Sequence, residues 1–166
     1  MHGELAKTWS ANGLQAIMNL TVVPFGNAKI DPASGNTTCQ HGAEECLGNS
    51  YEQCAIAHNP DPKDHVPFYL CLEATGGKPD FDSAAAKCAT SSNIDINALT
   101  TCVRGAEAAA LQQRFHDLTP ADHKYTPWVT LNGVQMVTNK VPTLSHHICS
   151  LWKAAGGKKP AGCPLI

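Results

Sequence analysis

Cys39, Gln40, His41, Gly42, Glu45, Cys46, Asn49 and Cys54 fall within one short run of this chain. Three thiols beside a histidine and a glutamate could attack disulfides, bridge one another or hold a metal. Disulfide exchange needs a thiolate that attacks one sulfur and a second thiol that resolves the mixed disulfide. Two intervening residues, at the start of a helix, give the usual reactive pair and lower the pKa of its first thiol. The eight cysteines stand at 39, 46, 54, 71, 88, 102, 149 and 163, so none forms Cys-x-x-Cys.

Cys39 and Cys46 are the best substitutes for such a pair, with Cys39 before an expected helix and His41 close by. A structural role is preferred: a loop cysteine and helix cysteines, each bridged elsewhere. Residues 42–58 read as a helix, which puts Cys46 and Cys54 about 12 Å apart along its axis. That exceeds disulfide reach, so these two should not pair. Cys39, Cys46, Cys54, Cys71, Cys88, Cys102, Cys149 and Cys163 are all disulfide candidates, and their connectivity stays open. The spacing of Cys39, His41, Cys46 and Cys54 does not match a zinc finger, so no metal is expected. His146 and His147 read as surface residues, since neighbours on a helix point about 100° apart.

So many cysteines in 166 residues suit an oxidising compartment. The sequons at Asn19 and Asn36 point the same way, as glycosylation candidates in a lysosomal, vacuolar or secreted protein. The net charge is −2 with no basic run, which argues against nucleic acid. The longest apolar stretch, residues 17–24, is too short to span a bilayer, so no membrane partner is expected. Residues 1–4 lack the basic and apolar regions of a signal peptide.

The elements that must position these residues begin with a helix over residues 4–9, with Leu5 and Trp9 one turn apart. A strand is expected over residues 16–23, closed by the turn Pro24-Phe25-Gly26-Asn27. Residues 31–38 read as loop. Further helices are expected over 66–73, 81–88, 97–104 and 106–118, the last with Ala108, Leu111, Phe115 and Leu118 on one stripe. Residues 127–131 and 134–138 form a hairpin around Asn132-Gly133, a type I′ signal. A last helix over 143–155 turns Leu144, Ile148, Leu151 and Ala155 inward.

With these elements in order, the chain resembles the gamma-interferon-inducible lysosomal thiol reductase family. The signature C-Q-H-G-x-x-E-C-x-x-N-x-x-x-x-C is matched at Cys39, Gln40, His41, Gly42, Glu45, Cys46, Asn49 and Cys54. Residues 23–28, 125–133 and 157–164 resemble other family segments. The resemblance implies an α/β, thioredoxin-like fold: one domain over 1–166, with a cysteine-rich helical insertion over 29–118. It implies reduction of disulfide-containing protein substrates in an endolysosomal or secreted setting, with no cofactor. Members carry Cys-x-x-Cys after the first strand. The chain is expected to begin just beyond it, with that strand missing and no catalytic cysteine of its own. Losing that strand should leave residues 16–23 poorly paired and the chain poorly stable. The resemblance also implies that Thr126 and Pro127 contact substrate, with a cis bond before Pro127. The alternative reading is a non-catalytic, disulfide-stapled domain that binds proteins through the Pro127 loop.

Overall fold

A computed structural model describes residues 2–76, 80–136 and 143–165. Among them the chain is mostly helical, with two small antiparallel sheets, and it divides into two compact units.

The larger unit, Thr21–Thr126, is organised around α2 (Ala43–His58). Against it pack α3 (Pro62–Glu73), α4 (Phe81–Ser92), α5 (Ile96–Arg104) and α6 (Glu107–Leu118). Local chemistry sets the helix starts. Asp61, Asp80 and Asp95 each accept backbone N–H groups of the first turn they precede. Helix α3 therefore begins four residues earlier than expected, because Pro62 occupies its first turn, where no backbone donor is needed.

The core of this unit holds Phe25, Tyr51, Cys54, Phe68, Leu72, Cys88, Leu99 and Phe115, each at most 2% exposed. Tyr51 donates to Asp82 at 2.6 Å, and Arg104 donates to both oxygens of the same carboxylate, linking α2, α4 and α5. Leu111 and Phe115 of α6 face inward as expected. Leu118 does not; it is exposed, and Gln112 is buried instead.

Two expectations about the chain up to residue 38 need correction. Residues 31–38 are not wholly loop: β1 (Lys29–Ile30) pairs antiparallel with β2 (Thr37–Thr38). Asp31 accepts from Ala33 and Ser34, making the turn that brings the strands together. The expected strand over 16–23 is not formed. Residues 15–17 make a short 3₁₀ turn, and residues 18–23 have no ladder partner among the described residues. Alternating apolar residues favour an extended chain, but a strand exists only where another backbone completes its hydrogen bonds.

The smaller unit comprises Met1–Leu20 and Pro127–Ile166. It contains α1 (His2–Ser10), the hairpin of β3 (Thr130–Leu131) and β4 (Val134–Gln135), and α7 (Leu144–Ala154). Asn132 and Gly133 both have positive φ, 51° and 79°, the conformation that lets a two-residue turn follow strand twist. Met136 N–H donates to Val129 at 2.8 Å and lengthens the pairing by one rung. Val137 and Thr138 of the expected return strand lie outside the described residues.

Leu5, Ile17, Val129, Met136, Leu144 and Ile148 form one cluster of this unit. Leu151 and Ala155, expected to face inward, are exposed, because the buried stripe of α7 is completed by Cys149 instead.

Candidate functional site

The residues of the Cys39–Cys54 run are spread over two jobs. The first is to fasten the start of α2. Glu45, third residue of the helix, reaches back and accepts the backbone N–H of His41 at 2.5 Å. The same oxygen lies 3.0 Å from His41 Nδ1. Gly42 precedes the helix with φ 96°, a conformation that glycine adopts without strain.

The second job is to hold the turn Pro24-Phe25-Gly26-Asn27. Asn27 Nδ2 donates to Gln40 Oε1 at 3.0 Å, and Asn49 Nδ2 donates to the Phe25 carbonyl at 3.5 Å. Gln53, fully buried one turn further along α2, donates to the Pro24 carbonyl at 2.8 Å and to Gln112 at 3.4 Å. Gln112 passes the chain on to Ser50, whose hydroxyl donates to the Cys46 carbonyl. On the far side Asn27 Oδ1 meets His123 Nε2 at 3.2 Å, and His123 Nδ1 donates to the Pro120 carbonyl at 2.8 Å. The signature is thus a polar clamp on one turn. Gln53, Gln112 and His123 belong to it, although no local pattern singled them out.

All eight cysteines are bridged. Cys54–Cys102 joins α2 to α5, Cys71–Cys88 joins α3 to α4, and Cys149–Cys163 fastens α7 to the segment after it. Cys46 and Cys54 do not pair, as helix geometry required. Cys39 and Cys46, expected to bridge elsewhere, bridge each other. The turn at Gly42 folds Cys39 back onto the first turn of α2 and brings their Cα atoms to 5.6 Å.

An open groove of about 560 Å³ is lined by His58, Asp95, Thr101, Cys102 and Glu107 among others. His58 Nε2 lies 3.1 Å from both oxygens of Glu107, and ligand-type atoms of His58, Cys102 and Glu107 fall within 4.8 Å of one another. Cys102 is bridged to Cys54, so its sulfur is not the thiolate that zinc takes from protein.

Burial creates one unusual carboxyl. Glu52, in the middle of α2, is 3% exposed. Desolvation raises its pKa well above the ordinary value, and the nearby Glu73 carboxyl raises it further. Burial likewise pushes the Tyr69 phenol up, with Glu52 and Glu73 adding to the effect.

Thr126 and Pro127 are exposed, and the Thr126 methyl lies near Gly26. Asn19 and Asn36 are also exposed. His146 and His147 are half-buried, with their rings 6.4 Å apart and edge to face.

The fold and site define a disulfide-stapled helical protein whose signature run grips a Pro-Phe-Gly-Asn turn. The profile described as gamma interferon inducible lysosomal thiol reductase (GILT) matches residues 1–92, and the chain belongs to that family. It is 35% identical over 161 residues to the gamma-interferon-inducible lysosomal thiol reductase of Carassius auratus, covering 90% of this chain and 61% of that protein. It is 32% identical over 146 residues to the gamma-interferon-responsive lysosomal thiol protein of Arabidopsis thaliana, covering 84% and 59%. It is 29% identical over 171 residues to the gamma-interferon-inducible lysosomal thiol reductase of Mus musculus, covering 98% and 64%. The chain therefore spans about three-fifths of the length of these relatives. No helix among the described residues is long and apolar enough to cross a membrane.

Proposed function

We propose that this chain serves a thiol-disulfide oxidoreductase that reduces disulfides of protein substrates in an endolysosomal or secreted setting. In this reading the chain itself carries no catalytic pair and provides a stapled scaffold. The observation that carries it is the cysteine inventory: eight cysteines in four bridges, none of them Cys-x-x-Cys. Family membership supports the chemistry, and the names of the relatives support the compartment. The exposed sequons at Asn19 and Asn36 agree with passage through a secretory route.

The fold is read as thioredoxin-related, with α1, β3–β4 and α7 as its thioredoxin-like part and residues 29–118 as an insertion. Thr126 and Pro127, exposed at the entrance to the hairpin, are assigned to substrate contact.

Insulin reduction by the chain, with dithiothreitol as electron source, tests the catalytic part. Turnover no faster than the uncatalysed background is expected. Turnover that is lost on alkylating the protein would overturn it. The paired state of every cysteine also favours a second reading, a non-catalytic protein-binding domain using the Pro127 loop. Saturable binding of an oxidised protein substrate, weakened by Pro127→Ala, would favour that reading over a purely structural scaffold.

A further inference from the structure

The four bridges are not equivalent. Cys54 and Cys102 are 0% and 2% exposed, Cys149 and Cys163 are 1% and 8% exposed, and Cys88 is 1% exposed. Only in Cys39–Cys46 are both cysteines partly exposed. It also closes the shortest loop, with a sequence separation of 7 against 14, 17 and 48 for the others. A short loop limits the unfolded chain least, so its bridge contributes least to global stability. An accessible bridge of small structural value can open without the unit unfolding.

Its position gives the opening a consequence. Between the two cysteines lie Gln40 and His41. Gln40 holds Asn27, and Asn27 meets His123. His41 is bound to Glu45, with its side chain 73% exposed. Breaking the bridge removes the covalent tie that keeps Gln40 against the turn.

We propose that Cys39–Cys46 is a redox-exchangeable bridge that accepts electrons from a dithiol and, when open, releases the Gln40–Asn27 contact. One thiolate of the dithiol attacks one sulfur of the bridge. The S–S bond breaks, and the departing cysteine leaves as a thiolate and takes a proton from solvent. The second thiol of the dithiol then attacks the mixed disulfide. The products are two cysteine thiols and the oxidised, disulfide form of the dithiol, so two electrons and two protons have passed to the protein. The site is an acceptor of electrons, opened by the dithiol and closed again by reoxidation in the reverse exchange. The proposal is independent of whether protein disulfides are reduced by this family member.

The test is native-state reduction by dithiothreitol, quenched with an alkylating reagent and read by peptide mass spectrometry. Cys39 and Cys46 should be labelled in a separate early phase, ~10-fold or more ahead of the other six, because only local opening is needed. Joint labelling of all eight, or an earlier opening of Cys71–Cys88, would overturn the proposal. A Cys39→Ala/Cys46→Ala double variant with native circular dichroism should lack the early phase; its persistence would count equally against the idea. Hydrogen exchange reads the coupling. The Ala28 amide, bonded to the Phe25 carbonyl in the same turn, should exchange faster once the bridge is open, and an unchanged rate would sink the linkage to Asn27.

Discussion

Asn27 donates its side-chain amide to Gln40 across 3.0 Å, joining the turn that follows residue 23 to the loop between two bridged cysteines. The contact makes the family signature a device for holding a turn. It also separates residues that do this from the surface from one that does it in the core. Gln40 is exposed, whereas Gln53 is buried and is bonded to the carbonyl of Pro24.

That difference predicts unequal costs. Gln53→Ala should destabilise the protein by about 1–3 kcal/mol, since it strands a carbonyl away from water. Gln40→Ala should cost only about 0.5–1.5 kcal/mol, the net value of an ordinary hydrogen bond. Urea unfolding midpoints of the two variants, and of Asn27→Ala in a double-mutant cycle with Gln40→Ala, measure both effects. Equal losses at Gln40 and Gln53 would contradict the burial argument.

Glu52 predicts the pH dependence. Burial and Glu73 raise its pKa in the folded chain above that of the unfolded chain. The folded state therefore binds the proton more tightly. Its contribution to stability is complete below the ordinary glutamate value of 4.5 and is lost as pH rises through the raised pKa. Unfolding free energy followed by urea titration from acid to neutral pH should fall over that window. Glu52→Gln, which keeps the shape and carries no charge, should flatten the decline. Asp31, Asp80 and Asp117 are shifted down by hydrogen bonds but are fully solvated, so they should add little to the profile.

The bridges should rank by the loops they close. Removing Cys54–Cys102, with a separation of 48, should cost about 4 kcal/mol, and removing Cys39–Cys46, with a separation of 7, about 2 kcal/mol. The first also leaves apolar space in the core between α2 and α5. Thermal unfolding of the two double-alanine variants, with their folds checked by circular dichroism, gives the order directly. A larger loss for Cys39–Cys46 would reverse the argument from loop length.

Asn36 should carry a glycan when the chain is made through a secretory pathway. It is exposed in the turn between β1 and β2, where its side chain is open to modification. Asn36→Gln should remove one glycan mass, seen by intact mass spectrometry with and without glycosidase treatment. The same mass in both proteins would count against the site.

Much of this molecule was legible locally. The helical runs expected over 81–88 and 97–104 came within one residue of the starts of α4 and α5, and Asn132-Gly133 marked the hairpin. The distance between Cys46 and Cys54 along one helix ruled out their pairing. These features depend on a few neighbouring residues, whose backbone preferences and hydrogen bonds are the same wherever the segment is placed. The tertiary structure decided the rest. Residues 18–23 look like a strand but form none, because a ladder needs a second backbone. Cys39 and Cys46 pair because Gly42 reverses the chain between them. Glu52, Gln53 and Gln112 read as ordinary polar helix residues until α3 and α6 close over α2 and remove them from water. Local sequence determined which elements could form. Only the meeting of distant segments determined which carboxyl is buried, which sulfurs bond and which turn the signature holds, since burial and bonding are properties of pairs in space.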